Sequence, residues 1–410
     1  MSLFGAKKTA KVDTDPQKIE ELLTRGIENI FPNRDFLKVK MLRGEQVTLY
    51  LGIDPTGKTL HLGHVIPLKK LGQFQKLGHK IILLIGDFTA MIGDPTDKTA
   101  TRTQLTHKEV LENCKEYKKQ ASKFISFSGN NPADFKFNSA WLSKMNFADV
   151  LDLGAHMTVQ QMLERDMFEK RMQEGKPIYI HEFMYPLMQG YDSVAMNVDG
   201  EIGGNDQTFN MLAGRNLLKD LKGKEKFVIA TKLLTDSTGK KMGKTENNMV
   251  SLDQTADDMF GSVMSWGDEL IVPGFEIVTD IPLAEIESIK ASMSSGANPK
   301  DFKVRLAKEI VTMCHDKKSA DSAEQNFENT FAKGGVPKDI IKIVLSGSVK
   351  ISDSLVEMKI VESKTDLRRL VDAGAVSSVV SGKKISSLDD LENPDVLKIG
   401  KHRFVEIVGK

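Results

Sequence analysis

Residues 52–64 read GIDPTGKTLHLGH, and the fold depends on how that stretch is parsed. Its first eight residues satisfy G-x-x-x-x-G-K-T, with Gly52, Gly57, Lys58 and Thr59 in register for the phosphate-cradling loop of P-loop NTPases. Downstream, IILLIGD offers a strand ending in an acid, Asp87, for the metal side of such a site. The physics of the loop argues against this parse. It works by pointing successive backbone N–H groups at phosphate oxygens. Pro55 has no N–H, and a carboxylate at Asp54 would repel the ligand. The last four residues, HLGH, hold anions differently: His61 and His64, three apart at a helix start, can donate hydrogen bonds to anionic oxygens, with Gly63 allowing close backbone approach. A zinc site here lacks a third ligand at metal spacing. Two surface histidines without function are the plain alternative for the segment taken alone.

Outward from this stretch, Val47, Leu49, Leu51 and Ile53 alternate as in a strand, which puts Tyr50 on the opposite face, and Asp54-Pro55 ends it. Val65, Ile66, Leu68, Leu71, Phe74 and Leu77 then recur at helical spacing, Gly78 closes the helix, and KIILLIGD reads as a buried strand. This is a β-α-β unit with parallel strands. Thr106 to Glu109 form a capping box before a helix expected to reach about Ile125, and FKFNSAWL reads as another strand. EIGGNDQTFNMLAGRNLL and KFVIATKLL read as two further β-α repeats, so the fold class is α/β, with an open doubly wound parallel sheet of Rossmann-like type over residues 1–235. Ligands of such sheets bind beyond the carboxyl ends of the strands, here the loops after Ile53, Ile85, Ile202 and Thr231. Residues 236–332 read as a polar loop followed by helical patterns, an all-α second domain; glycine, proline and serine mark a linker at 333–352, and 353–410 reads as a small α+β domain.

The whole chain has 410 residues, 40% apolar and 28% charged, which is globular and long enough for two or three domains. It shows neither an 18-residue apolar run nor a signal-peptide pattern, so no membrane association and a cytoplasmic location are expected. Cys114 and Cys314 stand far apart, which argues against a disulfide framework or structural zinc. A net charge of +1 means that any polyanion must be held by local basic clusters.

One such cluster is LLTDSTGKKMGKTENN, whose Lys241 and Lys244 sit on a glycine-rich polar loop after a strand, where flexible cations can close on a triphosphate. HLGH and KMGKT, both on β-α loops, together resemble the two signatures of class I aminoacyl-tRNA synthetases. Leu62 replaces the commoner isoleucine of the first, and Gly243 and Thr245 replace two serines of the second. LYLGIDPTGKTLHLGH, IGDPTDKTATR, YPLMQGYDSVAM, IGGNDQTFN and KKMGKT occur in the order found in bacterial-type tyrosyl-tRNA synthetases, and the likeness covers nearly the whole chain. The residues themselves support one piece of this. Tyr185, Gln189 and Asp192 lie at i, i+4 and i+7, a polar stripe on an otherwise apolar, Met-rich helix, which favours a buried hydrogen-bonding site over a solvent face.

The resemblance implies an ATP-dependent tyrosine–tRNA ligase. Tyr50 and Asp192 would meet the phenolic hydroxyl of tyrosine, Tyr185, Gln189 and Asp94 its α-ammonium, and Gln207 would add to the polar wall. Asp54, His64, Gly204 and Asp206 would lie near the nucleoside, Leu233 and Leu234 against adenine, and Thr56 with His61 toward the γ-phosphate. Lys98, Arg102, Lys241 and Lys244 would clamp the departing pyrophosphate. Magnesium is expected with ATP and not at a dedicated protein site. Glu201 and Leu51 stand where some members carry other polar residues. The stretch 367–408 resembles the S-four-like RNA-binding domain that commonly ends bacterial tyrosyl enzymes. There Arg368, Arg369, Lys383, Lys384, Lys398, Lys401 and Arg403 supply cations for the phosphate backbone of the tyrosine tRNA, among nearly as many acids. A homodimer is implied by the resemblance alone. The rival readings are a P-loop kinase, a tryptophanyl enzyme, which typically lacks the tail, and a catalytically silent RNA-binding paralogue.

Overall fold

In the computed structural model, the described residues are 10–96, 105–235, 249–329, 341–344, 351–358, 360–361, 363–387, 396–400 and 403–408. They form two compact units, one of Met1–Gln254 with Ser262–Cys314 and one of Thr255–Gly261 with His315–Lys410.

The first unit is built on a six-stranded sheet of β1 (Ile27–Phe31), β2 (Thr48–Ile53), β3 (Lys80–Ile85), β4 (Asp134–Phe137), β5 (Gly200–Gly204) and β6 (Phe227–Thr231). The order is β1-β6-β5-β2-β3-β4, parallel throughout except for β1, which runs antiparallel to β6. β1 has no counterpart in the sequence reading; it closes the β6 edge, where an unpaired row of N–H and C=O groups would otherwise be exposed. The β2-helix-β3 unit is as the periodicity predicts: the helix spans Leu62–Lys76, buries Val65, Leu68, Leu71 and Phe74, and ends before Gly78 at φ +91°. β3 is buried from Ile81 onward, as befits a central parallel strand.

Four expectations for the first part of the chain need correction. FKFNSAWL is strand only through Phe137; Ser139–Leu142 make one helical turn. The helix that opens on the Thr106 capping box stops at Asn113 and resumes at Tyr117–Ala121. That break lets Asn113 donate to Pro55 O (3.0 Å) and Tyr117 to Gly57 O (2.6 Å), so tertiary bonds to the 55–60 loop outweigh helix continuity. β6 is followed by irregular chain through residue 235 and not directly by a helix. Residues 262–314 belong to the first unit and not to a separate helical domain: Arg25, nearly buried, donates to the carbonyls of Phe275, Glu276 and Thr279 and so caps the Ile271–Val278 helix.

The second unit carries a four-stranded sheet, order β7-β10-β9-β8, of β7 (Ile341–Val344), β8 (Val376–Ser378), β9 (Val396–Ile399) and β10 (Arg403–Val408). β7 pairs in parallel with β10 although it lies inside the stretch expected to be linker, so this sheet begins earlier in the chain than 353. Leu355, Leu367, Val371, Ile399 and Val405 belong to its core.

Candidate active site

β2 and β5 pair only at Leu49↔Gly200 and Tyr50↔Glu201, yet β2 continues to Ile53 and β5 to Gly204. Beyond that pair the two strands diverge. The opening lies where the strand order reverses, between the halves of the sheet, the usual ligand position in such folds. It is a cavity of about 330 Å³. Every expected tyrosine-side and ATP-side residue among the described ones lines it. Lys98, Arg102, Lys241 and Lys244 lie outside the described residues.

One wall is the Ile180–Met196 helix, which presents Tyr185, Gln189 and Asp192 to the cavity as their spacing predicts. Asp192 is 2% exposed; its Oδ1 accepts from Trp141 Nε1 (2.7 Å) and its Oδ2 from Asn138 Nδ2 (3.3 Å). Burial raises the Asp192 carboxyl well above the usual carboxylate range, against the opposing effect of these two donors. Tyr50 is fully buried with its hydroxyl 3.0 Å from Ser193 Oγ. Burial first, then the Glu201 and Asp192 charges, push its phenol well above the ordinary value. The hydroxyl of Tyr185 donates to Asp54 Oδ2 (2.8 Å), and Thr89 Oγ1 donates to Asp54 Oδ1 (2.7 Å) while accepting from Asn138 Nδ2 (3.0 Å). Asn138 therefore joins Asp192 to Asp54 through Thr89. Gly86 makes this possible, because a Cβ there would lie 2.0 Å from Asp54 Oδ1. Gln207 donates to Asp94 Oδ2 (2.8 Å), whose other oxygen accepts from the Thr96 amide and hydroxyl.

On the opposite side, His61 is the N-cap of the Leu62–Lys76 helix. Its Nδ1 accepts from the Gly63 N–H (3.1 Å), and the Nδ1 of His64 accepts from the His61 N–H (3.2 Å). This is a capping box built from imidazoles, and it leaves the proton of each neutral ring on Nε2. Burial, and secondarily the neighbouring His61, push His64 well below the usual histidine range, so it acts as a neutral donor and not a cation. Gly63 matters here because a Cβ would come within 2.9 Å of the His61 ring. The segment also pairs with a distant strand of chain: Leu62 N–H donates to Val250 O (3.0 Å) and Leu252 N–H to Leu60 O (2.9 Å). The eight-residue P-loop pattern is not used as one. The helix starts at Leu62, three residues after Thr59, and the Leu60 amide is taken by Gln120 Oε1 (2.8 Å). Lys58 and Thr59 are not among the residues lining the cavity.

Sequence reasoning missed Thr89, which lines the cavity, and Asn138, Trp141, Ser193 and Lys226, which hold the lining residues from behind. In the second unit, Arg368 and Arg369 are exposed on the Lys364–Asp372 helix, Lys383 and Lys384 are exposed after β8, and Arg403 begins β10. Arg369 pairs with Asp366 (2.7 Å), and Arg403 donates to Ile360 O. Lys401 lies outside the described residues.

A family model described as tRNA synthetases class I (W and Y) matches residues 42–332. The chain is 42% identical over 405 residues to the tyrosine–tRNA ligase of Carboxydothermus hydrogenoformans, covering 95% of this chain and 97% of that one. It is 41% identical over 403 residues to that of Haemophilus ducreyi, covering 96% and 100%. Among solved structures it is similar to a C-terminally truncated mitochondrial tyrosyl-tRNA synthetase of Aspergillus nidulans, with TM-score 0.65 and 25% identity over 77% of this chain and 94% of that chain.

Proposed function

The chain belongs to the class I tRNA synthetases of tryptophan and tyrosine, and from that premise we propose how its residues carry out tyrosine–tRNA ligation. The observation that carries the assignment of roles is the buried Asp192 carboxylate, oriented by Trp141 and Asn138 beside Tyr50 at the floor of the cavity. Such a fixed acceptor suits a phenolic hydroxyl and leaves a polar group unpaired when phenylalanine enters. Tyr185, Gln189 and Asp94 receive the α-ammonium, with Gln207 holding Asp94.

In the first step a tyrosine carboxylate oxygen attacks the α-phosphorus of ATP, and the bond to the bridging oxygen of pyrophosphate breaks. A carboxylate needs no general base, so positioning and charge stabilisation do the catalysis. The Nε2–H groups of His61 and His64 donate to phosphate oxygens, with Thr56 beside them, while Gly204 and Asp206 hold the nucleoside and Leu233 and Leu234 contact adenine. Lys98, Arg102, Lys241 and Lys244 neutralise the leaving pyrophosphate, and magnesium accompanies the triphosphate to screen its charge. In the second step a hydroxyl of the terminal ribose of tRNA attacks the tyrosyl carbonyl and AMP leaves. We read the sheet as the doubly wound, Rossmann-like core of this class and the second unit as an S-four-like RNA-binding domain. Its exposed cations support that reading. We also propose a cytoplasmic setting; no helix among the described residues is long and apolar enough to cross a membrane.

ATP–pyrophosphate exchange tests the first step. Exchange is expected with tyrosine and not with tryptophan or phenylalanine; no exchange with any amino acid would sink the reading. We also propose a homodimer. The helices Phe147–Gly154, Val159–Leu163 and Ile180–Met196 bury Leu153, Met162 and Leu187 in one cluster but leave Phe147 77% and Ile180 82% exposed, with Leu151 and Val159 also outward. Apolar side chains exposed at this density support an interface. Sedimentation at micromolar concentration should give a dimer that Phe147→Asp with Ile180→Asp converts to monomer. An unaltered sedimentation coefficient in that variant would place the interface elsewhere.

A further inference from the structure

Below the floor of the cavity lies an ammonium group that tyrosine ligation as described above leaves without a task. Lys226, the residue before β6, is fully buried, and its Nζ stands 2.5 Å from Glu201 Oε2 and 2.8 Å from Ser193 Oγ. Glu201 is 2% exposed and is the register partner of Tyr50 at the last pair before β2 and β5 diverge. Its second oxygen, Oε1, accepts from Gln189 Nε2 at 3.1 Å. Ser193 in turn reaches the Tyr50 hydroxyl, and Lys226 Nζ lies 5.9 Å from the centre of the Tyr50 ring. The space is reserved by Gly214 on the facing helix, where a Cβ would sit 2.7 Å from Lys226 Nζ and 3.0 Å from Ser193 Oγ.

Two opposite charges in so dry a place gain little stability over apolar residues of the same volume, because desolvation offsets their attraction. What the pair does fix is direction. A carboxylate in an ion pair carries no proton and can only accept. The end of the Gln189 amide that meets Glu201 must therefore be its NH₂, and the carbonyl oxygen is left as the end available to the cavity that Gln189 lines. A cationic group there meets an acceptor; with the amide reversed it would meet a donor. We propose that Lys226 is a positioning residue of the amino-acid pocket: by pairing with Glu201 it sets the orientation of the Gln189 amide, so that the carbonyl oxygen receives the α-ammonium of tyrosine. This rests on the proposed role of Gln189. Without its cation, a buried carboxyl group takes up a proton and can donate, and the amide then loses its fixed sense.

The test compares two competitive ligands that differ at the ammonium. Tyramine carries the phenol and the ammonium; 3-(4-hydroxyphenyl)propionate carries the phenol without it. In ATP–pyrophosphate exchange, Lys226→Met is expected to raise the tyrosine KM and the tyramine inhibition constant together by about tenfold, the usual effect of losing one hydrogen bond to a charged group. The inhibition constant of the propionate and the KM for ATP should stay within about twofold. Lys226→Met with Glu201→Gln removes both charges at nearly constant volume and keeps the test alive where the single variant does not fold. Glutamine can donate as well as accept, so tyramine should again bind more weakly than to the wild type while the propionate binds as before. Wild-type affinity for tyramine in either folded variant, or equal weakening of both ligands, overturns the proposal. Failure of the wild-type protein to exchange with tyrosine would instead overturn the functional reading beneath it.

Discussion

Replacing His64 with alanine is expected to lower the rate of tyrosine-dependent ATP–pyrophosphate exchange by about 10²- to 10³-fold, the scale for removing one donor aimed at charge that grows in the transition state. The tyrosine KM should move by no more than about twofold, because the imidazole lies across the cavity from the helix that carries Tyr185, Gln189 and Asp192. The size of the effect follows from the ring's setting. Nδ1 is committed to the His61 amide, so Nε2–H is the group that can face a phosphate oxygen, and burial keeps the ring neutral and directional. Loss of the cap should also cost about 1 kcal/mol of stability, visible as a small fall in the thermal midpoint. Lys58→Ala is the matched control. A P-loop enzyme would be disabled by it, whereas here exchange should stay within about twofold of wild type. Stopped-flow or exchange kinetics on the two variants separates the parses of residues 52–64: an indispensable Lys58 with a dispensable His64 would reverse the assignment.

Asp192→Asn should abolish most tyrosine activation and leave the fold intact. The two donors that orient the carboxylate, Trp141 and Asn138, cannot both be satisfied by an amide, and the substrate phenol loses one of the two acceptor oxygens. A loss of about 10² in kcat/KM for tyrosine is expected, with the preference over phenylalanine reduced by the same factor. The pH dependence of stability should change as well. The folded protein holds the Asp192 proton more tightly than the unfolded chain does, because burial raises the group. Its contribution to stability is thus complete below the ordinary carboxylate pKa of about 3.9 and is lost as pH rises through the raised folded value. An uncharged amide removes that pH dependence, while one of the two buried donors is left facing an NH₂ group. Denaturation followed against pH should show the loss of stability with rising pH in wild type and not in Asp192→Asn, and circular dichroism should show the variant folded, so its inactivity would not reflect unfolding. A variant that is both stable and fully active would remove Asp192 from the tyrosine site.

The parts of this molecule that were legible in the chain are those written in local periodicity. Alternation from Val47 to Ile53 and the 3.6-residue spacing after His64 placed β2 and its helix, and the i, i+4, i+7 stripe placed Tyr185, Gln189 and Asp192 on the cavity wall. What escaped depends on tertiary partners. FKFNSAWL carries enough aromatic residues to pass for a strand throughout, yet its second half turns so that Asn138 and Trp141 can reach Asp192. Lys226 opens the KFVIATKLL repeat as one more charge in KGKEKF, and the absence of a side chain at Gly214, with Glu201 and Ser193 as partners, makes an interior for it. The helix expected to reach Ile125 breaks because Asn113 and Tyr117 are drawn to different carbonyls of one loop. No short-range pattern encodes such demands.

The pairing of residues 60–62 with 250–252 bears on the order in which the enzyme is made. A nascent chain that has emerged through residue 235 already contains all six strands of the sheet, but the Leu62 amide and the Leu60 carbonyl still lack the partners they have in the finished protein. At ordinary elongation rates the missing residues follow within roughly 1 to 3 seconds. The histidine segment is therefore tied down only after the sheet is complete, and a chain truncated before Val250 would have a complete sheet around an unfinished threshold.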